Sequence, residues 1–387
     1  MATFLLIVIY IAFIGLGIPD SLFGTIWPAV YTEFDLPVSH SNFVTVTCSV
    51  FTCFSSLISA KIINRIGTYK VTAISTALTA FALFAASFTN NFWYLTLISI
   101  PLGLGGGAID SGLNNYVALR YNAMQVNFLH CFYGVGVSLS PYLLSFALEK
   151  DGGWREGYRT VSLVQMGIAL IILLSYPLWK KIGESPFNTE EGISPKTLRL
   201  KEIFKIKRLP FVWLMFISSC AVEMCCTVWG STFLVEDKKL SVASAAKIVT
   251  VYFLGLAVGR FLSGVLSAKL PTKKIMIIGM ITLSLAILLL ALPLGLNISI
   301  LGLFLIGLGI APIYPSLMYL TPRLFGADVS QSIMGTHMAA AYIGIFLTPA
   351  IFSFIARYIG LWLFPYYIGV MLIILLTSFI KLKIKES

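Results

Sequence analysis

The feature that most constrains this chain is its division into long apolar runs. Stretches of roughly 20 residues, almost free of charge, follow one another from end to end with only short polar breaks between them. Each run has the length that a helix needs to cross the hydrocarbon layer of a bilayer. A soluble domain carries about a quarter charged residues. Here 58% of the residues are hydrophobic and 11% charged, which excludes a soluble enzyme and identifies a polytopic membrane protein.

The runs predict twelve transmembrane helices. In the first half they lie at about 4–30, 40–62, 69–89, 92–118, 126–148 and 159–181, and in the second at about 211–235, 241–268, 273–293, 298–320, 331–356 and 360–380. The one long polar segment, containing LRLKEIFKIKR, falls between the halves. The expected organisation is an N-terminal six-helix bundle over 1–181, a cytoplasmic linker over 182–210 and a C-terminal six-helix bundle over 211–387. No basic region precedes the first run and no small-residue cleavage site follows it, so it is expected to be a retained span and not a signal peptide.

Of the 27 Lys and Arg, 19 fall on one side of this arrangement and seven on the other, with Arg260 alone inside a span. The positive-inside bias then places both termini and the linker in the cytoplasm, for a multi-pass protein of the inner or plasma membrane. The net charge of +11 is accordingly a topology signal and not the footprint of a nucleic-acid binder. The basic linker could touch anionic lipid, although a solvated amphipathic segment is the plainer reading. All six cysteines lie in apolar runs, with neither zinc-site nor disulfide spacing, and read as small buried hydrophobes. No metal or cofactor is expected.

The halves repeat each other. AKIINRIGTYK at 60–70 and GVLSAKLPTKK at 264–274 place basic turns, the second including Lys269, 204 residues apart. Gly103 and Gly105 precede Gly307 and Gly309 by the same 204, and Gly136 and Pro141 precede Gly344 and Pro349 by 208. Two pseudosymmetric bundles of this kind can provide alternating access to a site near the bilayer midplane.

The turn NRIGTYK, with Asn64, Arg65, Gly67 and Lys70, resembles the loop between helices 2 and 3 of the major facilitator superfamily, which usually reads G-x-x-x-D-R-x-G-R-R. Ala60, Asn64, Thr68 and Tyr69 depart from that pattern, which implies a weakened charge network at the cytoplasmic gate. GLGGGAIDSGLNNYV at 103–117 and NFLHCFYGVGVSLSP at 127–141 narrow the likeness: they resemble helices 4 and 5 of the fucose:proton symporter family and its glucose-transporting relatives. Asp110, Gly112, Asn114, Leu129, His130, Gly134, Gly136 and Pro141 carry the match, with Tyr133 where Phe is common. The resemblance implies an all-α major facilitator fold and a proton-coupling or substrate-binding acid at Asp110.

A carboxylate in mid-span costs about 2.5 to 3.5 kcal/mol on insertion scales, so it normally faces a polar cavity. Three of the 16 acids qualify: Asp20, Asp110 and Glu223. Burial favours the protonated form of a carboxyl group, so Asp110 and Asp20 are the candidates for coupling solute movement to a proton; sodium is the alternative ion. For Asp110 the plainer reading is neutralisation by a neighbour such as His130, and for Asp20 a solvated place near the outer mouth. Glu223 and Trp229 mirror Asp20 and Trp27 across the repeat, and by pseudosymmetry both are expected to point toward the shared cavity, Glu223 as a gate or a sugar ligand.

A sugar site needs amides and hydroxyls to bond solute hydroxyls and aromatic faces to pack on C–H surfaces. Asn114, Asn115 and Gln125 supply amides, while Asn127, His130 and Tyr133 recur at i, i+3 and i+6 on one helical face. His337 lies 207 after His130, with Tyr342 five further on. Trp27, Trp229 and Tyr314 are stacking candidates, against the plainer reading of packing or interfacial anchors. Arg260 reads as structural, snorkelling or pairing with an acid, and Pro312 and Pro315 as a kink.

The expected protein is therefore a secondary transporter, a functional monomer, moving a small polar solute, most simply a monosaccharide, with a proton. Efflux of a drug or metabolite is the rival in the same fold, and a solute receptor the rival outside transport. An enzyme is not expected, because no HExxH or GxSxG motif occurs and the three histidines are scattered at 40, 130 and 337.

Overall fold

The computed structural model describes residues 2–37, 40–149, 153–183 and 195–384, with the backbone alone at 145–149, 242–243 and 246–247. Part of the predicted linker, 184–194, thus lies outside the described residues, as do Lys150 and Lys385. Among the described residues the regular structure is helical throughout. The helices are α1 (Ala2–Glu33), α2 (Ser41–Ile66), α3 (Thr68–Ala86), α4 (Phe92–Arg120), α5 (Ala123–Glu149), α6 (Gly153–Leu174), α7 (Tyr176–Ile182), α8 (Leu200–Ile203), α9 (Leu209–Glu236), α10 (Val242–Leu266), α11 (Thr272–Ala291), α12 (Leu296–Ile310), α13 (Ile313–Phe325), α14 (Ser330–Tyr358) and α15 (Phe364–Leu382).

Eleven spans among the described residues are long and apolar enough to cross a membrane, α12 and α13 counting as one, and α5 occupies the place of the predicted fifth span. The chain is a multi-pass all-α membrane protein. Local chemistry sets the boundaries. Gly67 joins α2 to α3 with φ 87°, a left-handed geometry that costs glycine nothing, while its N–H caps the Ile63 carbonyl at 2.8 Å. Ser241 starts α10 by accepting the Ser244 N–H at 3.2 Å. Two predicted spans are divided. The sixth breaks at Ser175, where Pro177 cannot continue the hydrogen-bond ladder and instead opens α7, and the tenth breaks between Ile310 and Ile313 at Pro312.

The chain packs as two units. The first comprises Met1–Arg120, Leu129–Thr197 and Phe325–Met338, and the second Tyr121–Phe128, Leu198–Leu324 and Ala339–Ser387. In unit 1, α4 packs on α2 and α3, α3 on α6, and α1 on α6; in unit 2, α12 packs on α10 and α11, α11 on α15, and α9 on α15.

The glycine repeat explains why these pairs match. A Cβ on Gly103 would run into the Cys48 carbonyl of α2, and one on Gly307 into the Tyr252 carbonyl of α10, residues again 204 apart. Gly105 faces Ser75 and Thr79 of α3, as Gly309 faces Gly279 and Leu283 of α11. Gly136 abuts the Ile14 carbonyl of α1, and Gly344 the Ile217 carbonyl of α9. Both units therefore bring equivalent helices to near backbone contact at equivalent positions.

Lipid tails are as apolar as leucine, so such helices gain nothing by hiding hydrocarbon and associate through close approach and hydrogen bonds. Phe4, Phe81, Leu97, Leu174, Ile281 and Ile380 are each more than half exposed, whereas Ser55, Ser56, Ser59 and Ser111 are buried. Ser56 donates to the Gly107 carbonyl at 3.0 Å and the Ser59 and Ser111 hydroxyls meet at 2.8 Å. Each such bond contributes about 0.6 kcal/mol. At the end of unit 1 remote from the basic turn, Glu33 receives Arg155 through both carboxylate oxygens (2.6 and 2.9 Å) and the Trp154 indole N–H at 2.6 Å, tying α1 to α6.

Candidate functional site

In unit 1, α1 and α5 touch backbone to backbone at Gly17 and Gly136, because a Cβ on Gly17 would meet the Tyr133 carbonyl. Ser21 reinforces the contact by donating to the Val137 carbonyl at 2.6 Å. That approach carries the Tyr133 hydroxyl to Asp20, where it donates to Oδ2 at 2.6 Å. Asp20 is not covered by its neighbours in the protein, although it sits in the middle of a 32-residue helix.

The second acid is held differently. Asn114, one turn beyond Asp110 on α4, donates through Nδ2 to Asp110 Oδ1 at 2.6 Å and to the Asp110 carbonyl at 3.0 Å. His130 of α5 places Nε2 3.0 Å from Asn114 Oδ1, with the Phe13 ring edge-on to the imidazole at 5.8 Å between centroids. Asn114 is fully buried and His130 nearly so, while Asp110 is half-buried. The two carboxylates lie within electrostatic reach of one another. Among the described residues no Lys or Arg forms an ion pair with either.

Unit 2 treats its acid in the opposite way. Glu223 of α9 forms an ion pair with Arg260 of α10 at 3.2 Å, the two side chains 33% and 14% exposed. Tyr252 donates to the Glu223 carbonyl at 3.2 Å. Tyr314, the counterpart of Asp110 at an offset of 204, packs edge-on against Phe216. The ionisable pattern of one unit is thus not copied in the other.

The remaining predicted residues are dispersed. Asn127 belongs to unit 2, where it donates to Ser267 Oγ at 3.1 Å, so the stripe it forms with His130 and Tyr133 is divided. Asn115 is fully buried, and neither atom of its carboxamide has a hydrogen-bond partner among the described residues. His337 is fully buried on α14 in unit 1. Trp27 is 6% exposed among Phe23, Tyr31 and Phe92, and Trp229 donates to the Pro349 carbonyl at 3.1 Å beside Phe352. At the basic turn of unit 1 Asn64 donates to Thr197 Oγ1 at 3.0 Å, while Arg65 and Lys70 are exposed; Lys269, at the basic turn of unit 2, is exposed as well. Among the described residues no three His, Cys, Asp or Glu are placed to hold a metal.

One buried polar cluster escaped the sequence reading. In unit 1 the Gln331 amide donates to Ser111 Oγ at 3.0 Å and Ser59 Oγ at 3.3 Å. Thr52, Ser55, Ser56 and Ser59 follow one another at i, i+3, i+4 and i+7, a helical face that marks this side of α2 in the sequence. Nothing in the sequence around Gln331 distinguishes it from a solvated residue near a helix start.

The sequence model of the Major Facilitator Superfamily matches residues 9–247 and 227–386, and the chain belongs to that family. It is 22% identical over 350 residues to the glucose/mannose transporter GlcP of Bacillus subtilis, spanning 87% of this chain and 84% of that one. It is 24% identical over 259 residues to the uncharacterized MFS-type transporter YhjX of Escherichia coli, covering 65% of this chain and 63% of YhjX. FucP, a fucose:proton symporter of E. coli solved in the outward conformation, superposes with a TM-score of 0.77 at 14% identity over 98% of this chain and 99% of its own. The proton:xylose symporter XylE gives 0.79 at 14% identity over 98% and 95%. At these identities the two structures establish the fold.

Proposed function

We propose that the chain is a secondary active transporter that carries a monosaccharide together with a proton by alternating access, in the cytoplasmic membrane with both termini inside. The observation that carries this reading is the setting of Asp20 and Asp110: two carboxylates in mid-span, neither enclosed completely by protein, each held by a neutral donor and neither paired with Lys or Arg among the described residues. A carboxylate locked to a guanidinium is committed to its charge. One held by a phenol or an amide can take up and release a proton.

The glucose/mannose, fucose and xylose transporters among its relatives and structural neighbours support a sugar as solute. The half-buried Tyr133 and the Asp20 carboxylate to which it donates offer the hydroxyl-bonding groups that a sugar needs.

The test is uptake of labelled fucose, galactose, glucose, mannose and xylose into proteoliposomes under a proton gradient, a sodium gradient or none. Accumulation of one sugar under the proton gradient is expected, and Asp110→Asn is expected to abolish accumulation while the folded protein is still recovered. Accumulation under sodium alone overturns the coupling ion. No movement of any sugar overturns the substrate class and favours efflux of an amphipathic compound.

A further inference from the structure

The orientation of the Asn114 carboxamide is determined by its neighbours. Both oxygens that its Nδ2 faces, Asp110 Oδ1 at 2.6 Å and the Asp110 carbonyl at 3.0 Å, act as acceptors when the acid is ionised. The amide therefore fits only one way round, with Oδ1 turned to His130 at 3.0 Å. An amide oxygen can only accept, so His130 must carry a proton on Nε2. Asn114 is 0% exposed, which leaves no polar atom for a solute.

We infer that Asn114 is a positioning residue of proton coupling and not a ligand of the transported solute: it reserves Asp110 Oδ2 as the atom that takes the proton and transmits the charge state of Asp110 to His130. This rests on the proton-coupled reading above. Oδ1 is held as an acceptor by the amide, so protonation falls to Oδ2. Loss of the negative charge then weakens the grip of Oδ1 on Nδ2, loosening the same amide whose oxygen fixes the imidazole. His130 lies one turn before Tyr133, which holds Asp20, so α5 contacts the surroundings of both acids.

Among the described residues few other ionisable groups bear on this chain of bonds. Asp20 of α1 lies within electrostatic reach of Asp110, and Cys48 of α2 within reach of Asp20. From α5 come His130 and Tyr133. The face that α3 turns to α4 at Gly105 presents Ser75 and Thr79, and Gln331 is the α14 side chain bonded to α4, with His337 buried further along α14 in the same unit.

The chain has three histidines, so ¹⁵N-histidine labelling gives few signals, and the one missing from His130→Gln identifies His130. In the intact protein His130 is expected as the Nε2–H tautomer. In Asn114→Leu, which keeps the branched shape but removes donor and acceptor, that tautomer preference is expected to be lost, and in Asp110→Asn, which keeps an acceptor oxygen but removes the charge, it is expected to be weakened. Uptake by Asn114→Leu should keep its apparent sugar affinity within about threefold. Its pH profile should move to higher pH by about one unit, because the carboxylate has lost a donor that favoured its charged form.

An unchanged His130 signal in both variants overturns the inference. So does an Asn114→Leu protein that loses sugar affinity with its pH profile unmoved, since that is the behaviour of a ligand. If Asn114→Leu fails to fold, Asp110→Asn carries the spectroscopic test alone. If the intact protein shows no proton-driven uptake, the transport reading falls, while the His130 signal still decides whether Asn114 links the two groups.

Discussion

Three carboxylates lie deep in spans, and the partner of each tells what it can do. Asp20 and Asp110 are held by a phenol and an amide, whereas Glu223 faces the Arg260 guanidinium at 3.2 Å. Removing one member of a buried pair leaves the other charge uncompensated, which costs 3–5 kcal/mol when burial is complete. Glu223 keeps 33% of its side-chain exposure, so solvent screens part of that cost. We expect Arg260→Met and Glu223→Gln each to lower stability by about 1–3 kcal/mol in thermal unfolding of the detergent-solubilised protein. The double substitution should lie closer to wild type than either single one. Strictly additive losses would mean that the two side chains meet without coupling. Had the pair instead been a coupling site, Glu223→Gln would abolish gradient-driven uptake; a pair that holds α9 to α10 predicts reduced yield with retained accumulation.

At the scale of helices, the interior is organised by what glycine permits. The contacts of Gly103 with α2 and Gly307 with α10 are made backbone to backbone, so a side chain there cannot be accommodated by a rotamer change and must push two helices apart. Gly103→Val and Gly307→Val are each expected to destabilise by about 1–3 kcal/mol or to prevent folding, measured as loss of monodisperse protein and of melting temperature. Gly24 and Gly167 have open space where a Cβ would sit, so Gly24→Ala and Gly167→Ala should be neutral or gain up to about 1 kcal/mol from helix propensity. Equal losses at all four positions would show that glycine acts there through chain flexibility and not through approach. The equivalence of Gly103 and Gly307 was legible in the sequence, because a fixed offset needs no knowledge of which helix lies opposite. The break at Ser175 was not read, although Pro177 marks it, because hydropathy continues unchanged across the break.

Over the whole molecule, span number and repeat were legible because both follow from run length and offset, which are properties of the chain by itself. The acids were legible for a similar reason, since charge in a hydrocarbon layer stands out whatever surrounds it. Their partners were not, because periodicity gives the face of a helix and not its neighbour. Asn127, His130 and Tyr133 share a face of α5, yet the boundary between the units passes between Phe128 and Leu129, sending Asn127 to Ser267 and His130 to Asn114. Sidedness is a further property of the whole chain, and the 19 to 7 partition of Lys and Arg predicts it. Phe204, 68% exposed between α8 and α9, belongs to the richly basic side, and Tyr358, 75% exposed at the end of α14, to the other. Introduced as single cysteines, Tyr358→Cys should react with a membrane-impermeant maleimide in sealed right-side-out vesicles, while Phe204→Cys should react only after permeabilisation. The six native cysteines set the background, with Cys220, Cys225 and Cys226 buried and Cys48, Cys53 and Cys131 partly so. The reverse pattern would invert the topology, place both termini outside, and turn the proton-driven uptake proposed for Asp110 into a movement toward the opposite face.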